Sequence, residues 1–160
     1  MRRRLIPPSR LPAPLHRLGL RIAHALRKLW WRLCKPQIVG VNVIIRNARG
    51  QWLLVRHSYE GRSWTLPGGG LMRGELPAAA AERELREELG SSAGELIPIG
   101  VNVRNLYGAR CVTHLYLSEA TGEPRPDGRE VTEAAFFDPE ALPPVRSQMV
   151  DLALGMLKQH

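Results

Sequence analysis

Three glutamates, Glu84, Glu87 and Glu88, are the residues of this chain best suited to chemistry. Their spacing of i, i+3 and i+4 places them on one face of a helix. Three like charges that close repel one another, whereas a hard divalent cation such as Mg²⁺ or Mn²⁺ would bind them, since these ions prefer carboxylate oxygens. The competing interpretation is a solvated acidic face in which Arg83 and Arg86 act as ion-pair partners.

A glycine-rich loop and a helix must position these carboxylates. Residues 67–70 read Pro-Gly-Gly-Gly, so the backbone there can turn tightly and approach a ligand closely. Residues 77–81, a proline suited to the first helical turn followed by four alanines, favour a helix, and Gly90 is suited to its C-terminal stop. The backbone N–H groups of Gly69 and Gly70 are therefore candidate donors to a phosphate or to metal-bound water.

The spacing of these residues resembles the Nudix box. That box is the signature of Mg²⁺- or Mn²⁺-dependent hydrolases acting on a nucleoside diphosphate linked to another moiety. Every fixed glycine or charged position of the box is filled, by Gly69, Glu75, Arg83, Glu84, Glu87, Glu88 and Gly90. Ser91 replaces the usual aliphatic residue at the last position, and Met72 stands where many members carry a further glutamate. The resemblance covers the chain from about Gln37 onward.

The resemblance implies an α/β/α sandwich with a mixed sheet, in which Glu84, Glu87 and Glu88 hold one or more Mg²⁺ or Mn²⁺ ions. It also implies that Arg83 orients the glutamates of the box through salt bridges. Glu75 would lie beside the metal ligands, and we include it among the predicted ligands. The implied reaction is hydrolysis of a pyrophosphate bond in a nucleotide-type substrate.

The general base is left open between Glu84 in the box and two acids near the last predicted strand, Glu130 and Glu133. We include Glu133 in the predicted catalytic set. For both later acids the competing interpretation is an exposed loop or strand-edge carboxylate.

Substrate contacts are predicted from residue types alone. Trp64 and Tyr107 could stack on a base, and Arg56, assigned to phosphate binding, could contact the substrate together with Arg104 or Arg110. Aromatic residues more often lie in a core than on a ligand surface, so a packing role competes for the first two.

The net charge of +8 belongs to the N-terminal segment. Residues 1–37 contain ten Lys or Arg and no Asp or Glu, which leaves 13 basic and 15 acidic residues in the remainder. A high pI therefore gives no argument for nucleic-acid binding by the whole protein, and nucleic acid ranks last among the expected partners. Two cysteines, Cys34 and Cys111, form no disulfide framework, which favours free thiols in a reducing, cytoplasmic compartment.

Residues 15–33 have the pattern of a basic amphipathic helix, which follows a proline-rich start that we expect to be extended or disordered. The apolar positions recur at helical spacing: Leu15, Leu18, Ile22, Leu26, Leu29 and Leu33. Packing on the domain or on a second copy competes with contact to an anionic membrane surface and with nucleic-acid binding. Charges every few residues exclude a membrane-spanning helix. We therefore predict an extension over residues 1–36 and a hydrolase domain over residues 37–160.

The remaining pattern indicates a layered α/β domain. Strands are predicted at about 38–45, 52–56, 95–102, 110–117 and 131–137, with a short strand at 64–66 and a C-terminal helix at about 145–158. The leading functional hypothesis is a cytoplasmic Nudix pyrophosphohydrolase, either soluble or attached to a membrane surface. The alternative is a Nudix-fold regulatory module that binds a nucleotide without turnover.

Overall fold

The computed structural model describes residues 37–59, 61–90, 94–106 and 108–158, together with Gly19, Ile22, Ala23, Leu26 and Leu29. The described part of residues 37–158 forms five strands and two helices. The strands are β1 (Gln37–Arg46), β2 (Trp52–His57), β3 (Ile97–Leu106), β4 (Ala109–Glu119) and β5 (Val131–Phe137). The helices are α1 (Pro77–Leu89) and α2 (Gln148–Leu157).

The strands form one mixed sheet in the order β3-β4-β1-β2-β5. The central pair β1 and β4 is parallel, and the other neighbours are antiparallel. β1 and β2 form a hairpin whose turn is held by the Asn47 side chain, which accepts the N–H groups of Arg49 and Gln51. The mixed sheet expected from the resemblance is confirmed.

Each face of the sheet packs on one helix, because alternate residues of a strand point to opposite faces. On β1, Val41 and Val43 belong to the core under α1, which also contains Leu85 of the helix. The intervening Ile44 belongs to the core under α2, together with Met149. These two buried layers make the α/β/α sandwich that was predicted.

Helix α1 begins and ends where its sequence predicts. Pro77 lies in the first turn, where its missing N–H leaves no helical hydrogen bond unmade. Gly90 follows the helix with φ of 61°, a left-handed conformation that glycine adopts at little cost, and its N–H bonds to the carbonyl of Arg86. The face formed by Ala81 and Leu85 is fully buried, so the opposite face is left for the carboxylates.

Two element boundaries differ from the sequence prediction. Strand β3 continues to Leu106, which pairs with Ala109, so the predicted loop around residues 105–108 shrinks to a two-residue connection. Helix α2 begins at Gln148 and not near 145, because Trp64 pairs with the preceding segment. The Trp64 N–H donates to the carbonyl of Val145, and the Ser147 N–H donates to the carbonyl of Trp64.

The N-terminal segment is described at five positions. Gly19, Ile22, Ala23, Leu26 and Leu29 have helical backbone, and the predicted helix 15–33 stays a prediction. The other residues of that helix and the proline-rich start lie outside the described residues. Ile22, Leu26 and Leu29 are 54%, 62% and 53% exposed. No helix in the described part of the chain is long and apolar enough to cross a membrane. The domain boundary near residue 36 stays a prediction.

Candidate active site

A cleft of about 630 Å³ opens between the glycine loop, helix α1 and the first half of β1. Ligand pockets in proteins have about 300–1,000 Å³, so this cleft is of a size that suits a nucleotide. Among the described residues, carboxylates, glycine backbone and one cationic side chain line this cleft. The lining includes Gln37, Tyr59, Gly68, Gly69, Gly70, Glu84, Glu87, Arg104, Thr113 and Glu130.

The glycine loop runs as an extra short strand beside β1. The carbonyl of Gly69 accepts the Val41 N–H at 2.9 Å, and the Leu71 N–H donates to the Val39 carbonyl at 3.0 Å. This pairing presses the loop against α1, so that a Cβ added to Gly69 would collide with the Glu84 carboxylate. Glycine at this position lets the loop backbone lie against the carboxylate in the direction in which Arg83 holds it, and a side chain there would force the carboxylate to move.

Arg83 ties the loop, Glu75 and Glu84 together. Its Nε and Nη2 donate to the two oxygens of Glu75, each at 2.9 Å, in a bidentate pair. Its Nη1 donates to Glu84 Oε1 at 2.8 Å, and its Nη2 also donates to the Gly70 carbonyl at 2.9 Å. These contacts are the geometry expected of a residue that orients the glutamates of the box.

Glu75 is an ion-pair partner in this structure. Both of its oxygens accept from Arg83, and Oε2 also accepts the Met72 N–H at 2.8 Å. The Arg83 hydrogen bonds, followed by that of Met72, lower the pKa of Glu75 to about 2. Glu75 is absent from the described lining of the cleft, so the contacts point to an orienting role and give no support to the predicted ligand role.

The three glutamates on the helix lie in different surroundings. Glu87 is open to solvent, with its side chain 60% exposed and Oε2 at 3.5 Å from Arg83 Nη1. Burial raises the pKa of Glu84, and Arg83 opposes that rise. Burial also raises the pKa of Glu88, whose residue is only 2% exposed. The predicted common helix face is present, but one of its members is buried under the loop.

Glu88 is held by two donors at the base of the loop. His57 Nε2 lies 2.7 Å from Glu88 Oε1, and the Gly68 N–H donates to Oε2 at 3.1 Å. Sequence reasoning missed His57 because no paired His or Cys spacing accompanies it. The available signal was the alternation of β2, which puts residues 53, 55 and 57 on the face toward α1.

Glu130 is the loop acid that the structure brings to the cleft. The carboxylate of Asp127 fixes the backbone of this loop by accepting the N–H groups of Glu130 and Val131. The Tyr59 hydroxyl donates to Glu130 Oε1 at 3.1 Å. Burial is the main cause of the raised pKa of Glu84 and of Glu88. The nearby charge of Glu130 raises both pKa values further.

Several predicted contacts lie elsewhere. Arg56 Nη1 pairs with Glu133 Oε2 at 3.0 Å, and the guanidinium of Arg56 stacks 4.3 Å above the Trp64 ring. Trp64 itself is buried in the core under α2, edge-to-face with Phe137. Arg56, Glu133 and Trp64 are therefore not among the described residues that line the cleft.

Two further substrate predictions have different outcomes. Arg110 lies at the start of β4 beside Gln37, with Nη1 at 3.3 Å from the Gln37 side-chain oxygen, and does not line the cleft itself. Tyr107 lies outside the described residues. Arg104, by contrast, is the only cation among the described residues lining the cleft, and its buried Nε has no hydrogen-bond partner within the described structure.

The carboxylates suit a divalent cation, although they are not gathered into a ready-made centre. Within the described ranges, no three His, Cys, Asp or Glu side chains are already arranged to hold a metal ion. The donors are nevertheless hard oxygens, and their mutual repulsion contributes to the raised pKa values of Glu84 and Glu88. A cation in the cleft would relieve that repulsion, so the residues fit Mg²⁺ or Mn²⁺.

Comparison with known sequences gives a family match over most of the chain. A sequence model of the NUDIX domain matches residues 36–155. A putative 8-oxo-dGTP diphosphatase from Bacillus subtilis is 35% identical over 105 residues, which cover 65% of this chain and 68% of that protein. An RNA pyrophosphohydrolase from Rhodospirillum rubrum is 41% identical over 56 residues, covering 35% of this chain and 34% of that protein. The match thus spans about a third of the latter relative.

Solved structures show the same architecture. The MutT NUDIX hydrolase from Burkholderia pseudomallei superposes with a TM-score of 0.69 at 28% identity, over 76% of this chain and 98% of that chain. The MutT protein from Methanosarcina mazei superposes with a TM-score of 0.63 over 78% of this chain and 96% of that one, and its 24% identity supports the fold alone. The predicted fold is confirmed.

The Glu75–Arg83 pair predicts a pH-dependent contribution to stability. The pKa of Glu75 falls from 4.5 to about 2 on folding, so its stabilisation is present above pH 4.5 and is lost as the pH falls through 2. We expect Glu75→Gln to lower the free energy of unfolding at neutral pH, and this deficit to shrink as the pH falls toward 2. Urea denaturation at several pH values measures it.

The control for this experiment is Glu82→Gln, at an exposed position of the following helix α1. It should change the free energy of unfolding little at any pH. An equal deficit for Glu75→Gln at pH 7 and at pH 2 would contradict the assignment of its stabilising effect to the ionised carboxylate.

Proposed function

Since the chain belongs to the Nudix family, we propose that it is a divalent-cation-dependent hydrolase that cleaves a phosphoanhydride bond in a nucleotide-type substrate. One observation carries the proposal: the glycine backbone, the carboxylates of Glu84, Glu87 and Glu130, and the guanidinium of Arg104 line a single cleft. Anionic phosphates need cations and donors, whereas activation of water needs a base, and this cleft offers both kinds of group.

Glu84, Glu87 and Glu88 are the residues proposed to hold Mg²⁺ or Mn²⁺. When bound, such an ion neutralises phosphate charge and makes water a stronger nucleophile at neutral pH. Arg83 holds one oxygen of Glu84, which leaves the other oxygen available. The exposed Glu87 carboxylate can turn toward the cleft without losing a buried contact.

The protein itself supplies orientation and charge. Gly69 and Gly70 place main-chain atoms at the wall of the cleft, where phosphate oxygens can approach without meeting a side chain. Arg104, on the opposite strand β3, supplies a positive charge for a phosphate. Its guanidinium is available for this role because its Nε has no hydrogen bond within the described structure. This residue takes the phosphate-binding role that the sequence suggested for Arg56.

The proposed general base is Glu130. It lines the cleft with Glu84, and its backbone is fixed by Asp127. Glu84 is the competing base, but one of its oxygens is already committed to Arg83. Glu133 is set aside because its carboxylate is paired with Arg56 on an exposed surface.

The relatives narrow the proposed substrates to nucleotides that carry a chain of phosphates. Their names refer to RNA pyrophosphohydrolase and to 8-oxo-dGTP diphosphatase. We propose that this protein, in the cytoplasm, hydrolyses either a nucleoside triphosphate or the triphosphate end of RNA. The alternative is a regulatory module that binds a nucleotide without turnover. Such a module would not need the complete set of box carboxylates.

The function is tested by a phosphate-release screen over nucleoside di- and triphosphates, dinucleoside polyphosphates and 5′-triphosphorylated RNA, with Mg²⁺ and then Mn²⁺. We expect hydrolysis that depends on the cation. Glu87→Gln should reduce turnover by about 10²-fold, the scale on which loss of one charge-stabilising group acts. The control Glu82→Gln removes an exposed carboxylate from the same helix and should keep full activity. Nucleotide binding without turnover under either ion would support the regulatory alternative.

Two matched variants, at Glu130 just before β5 and at Glu133 within β5, test which carboxylate is the general base. Glu130→Gln should lower kcat by about 10²- to 10⁴-fold, the usual contribution of a general base. Glu133→Gln removes a carboxylate that pairs with Arg56 outside the cleft and should leave kcat within a few-fold of the original. A larger loss in Glu133→Gln than in Glu130→Gln would restore the original prediction.

We also propose that the predicted helix 15–33 contacts an anionic lipid surface. Its described apolar positions Ile22, Leu26 and Leu29 are each more than half exposed, and residues 1–37 contain no acid. The full chain should co-sediment with vesicles rich in phosphatidylserine and not with phosphatidylcholine vesicles, and Leu26→Glu should reduce binding. Unchanged binding in the variant, or concentration-dependent self-association that Leu26→Glu abolishes, would favour the competing uses of this helix.

A further inference from the structure

Glu88 is a buried carboxylate whose direction is set from outside its own helix. It is 2% exposed, and each of its oxygens has one partner: His57 Nε2 at 2.7 Å and the Gly68 N–H at 3.1 Å. When Glu88 is ionised, as a metal ligand must be, it only accepts hydrogen bonds, and the His57 ring then donates to it from Nε2. Such a charge-assisted bond at short distance is among the stronger hydrogen bonds in proteins.

The His57 ring is built into the fold. It closes β2 and is 5% exposed, on the face that Leu53 and Val55 also present to α1. The register with β5 shifts between Arg56 and His57. The extra residue at this shift is Thr132 of β5, so the alternation of side chains along β2 still sets the direction of His57. The position of the ring therefore follows from the sheet, and the ring in turn limits how Glu88 can move.

A second contact extends from the same ring to the loop acid. Tyr59 stacks on His57 with ring centroids 5.1 Å apart and planes 6° from parallel. The Tyr59 hydroxyl donates to Glu130 Oε1 at 3.1 Å. A continuous series of contacts thus joins the buried Glu88 to Glu130, which lines the cleft.

We propose that His57 is a positioning residue that fixes the direction of the Glu88 carboxylate and, through Tyr59, the location of Glu130. The inference deepens the proposed function, because the carboxylates concerned are those proposed there to hold the cation and to activate water. Its consequence for cation binding requires no substrate. Without the imidazole, Glu88 keeps only the Gly68 N–H, and its freed oxygen can rotate out of its present direction.

The expected effects differ for the two ends of this series. Loss of a residue that orients a metal ligand typically weakens metal binding by about 10- to 100-fold. Loss of the Tyr59 hydroxyl leaves the stacked ring and the Glu88 contact in place. It should therefore reduce kcat through Glu130 with little change in cation affinity.

The experiment measures Mn²⁺ binding to the full-length protein by electron paramagnetic resonance, without substrate. His57→Gln can offer an amide N–H near the position of Nε2, whereas the shorter His57→Asn cannot reach Glu88. We expect His57→Asn to raise the Kd for Mn²⁺ by about 10- to 100-fold and His57→Gln to remain within a few-fold of the original. Tyr59→Phe should bind Mn²⁺ normally and show a lower kcat at unchanged KM. Thermal unfolding establishes that each variant is folded.

The results separate this inference from the proposed function. If the unaltered protein binds Mn²⁺ and hydrolyses nucleotides while His57→Asn binds Mn²⁺ equally well, the positioning role is wrong and the function stands. Equal weakening in His57→Asn and His57→Gln would also overturn it, because the donor would then make no difference. If the unaltered protein binds no Mn²⁺, both the proposed cation dependence and this inference fail. Weaker Mn²⁺ binding in folded His57→Asn, but not in His57→Gln, supports the positioning role.

Discussion

Burying like charges side by side is the constraint on which the rest of this structure depends. Helical spacing brings Glu84 and Glu88 to one side of α1, and the loop before β5 adds Glu130. Burial raises the pKa of both helix carboxylates, and their shared repulsion adds to that effect. The fold tolerates the cluster because a donor reaches each helix carboxylate, Arg83 for Glu84 and His57 for Glu88.

The glycine loop allows a ligand to approach this cluster of carboxylates closely. The loop at residues 68–70 pairs with β1 on one side and contacts Glu84 and Glu88 on the other. A side chain at Gly69 would displace the Glu84 carboxylate from its present position, so glycine there keeps that carboxylate in place. The same pairing leaves the loop backbone and the Glu84 carboxylate open to one cleft, in which a phosphate and a cation can meet.

The sequence predicted those features that depend on local spacing. The common face of residues 84, 87 and 88, the start of α1 at Pro77 and its end at Gly90 all follow from helix periodicity and backbone preference. The family resemblance added the sandwich and the partnership of Arg83 with Glu75, which the structure shows as a bidentate pair.

Features that depend on contacts between residues far apart in the sequence could not be predicted from local spacing. The sequence offered Glu130 as one of three candidate bases, and only the loop held by Asp127 brings it to the cleft. The contact of His57 with Glu88 depends on where the sheet places the end of β2. Trp64 was a plausible base platform by residue type, but its packing against Phe137 is decided by the sheet and α2. Arg56 was likewise a plausible phosphate ligand until its register partner Glu133 was known.

The most direct test of the account is calorimetric titration of the folded, full-length protein with Mg²⁺, alone and with a non-hydrolysable nucleoside triphosphate analogue. The account predicts saturable Mg²⁺ binding that becomes tighter when the analogue is present, because phosphate oxygens complete the set of carboxylate ligands. Folded protein that takes up no Mg²⁺ under either condition would contradict the claim that a cation balances the buried carboxylates.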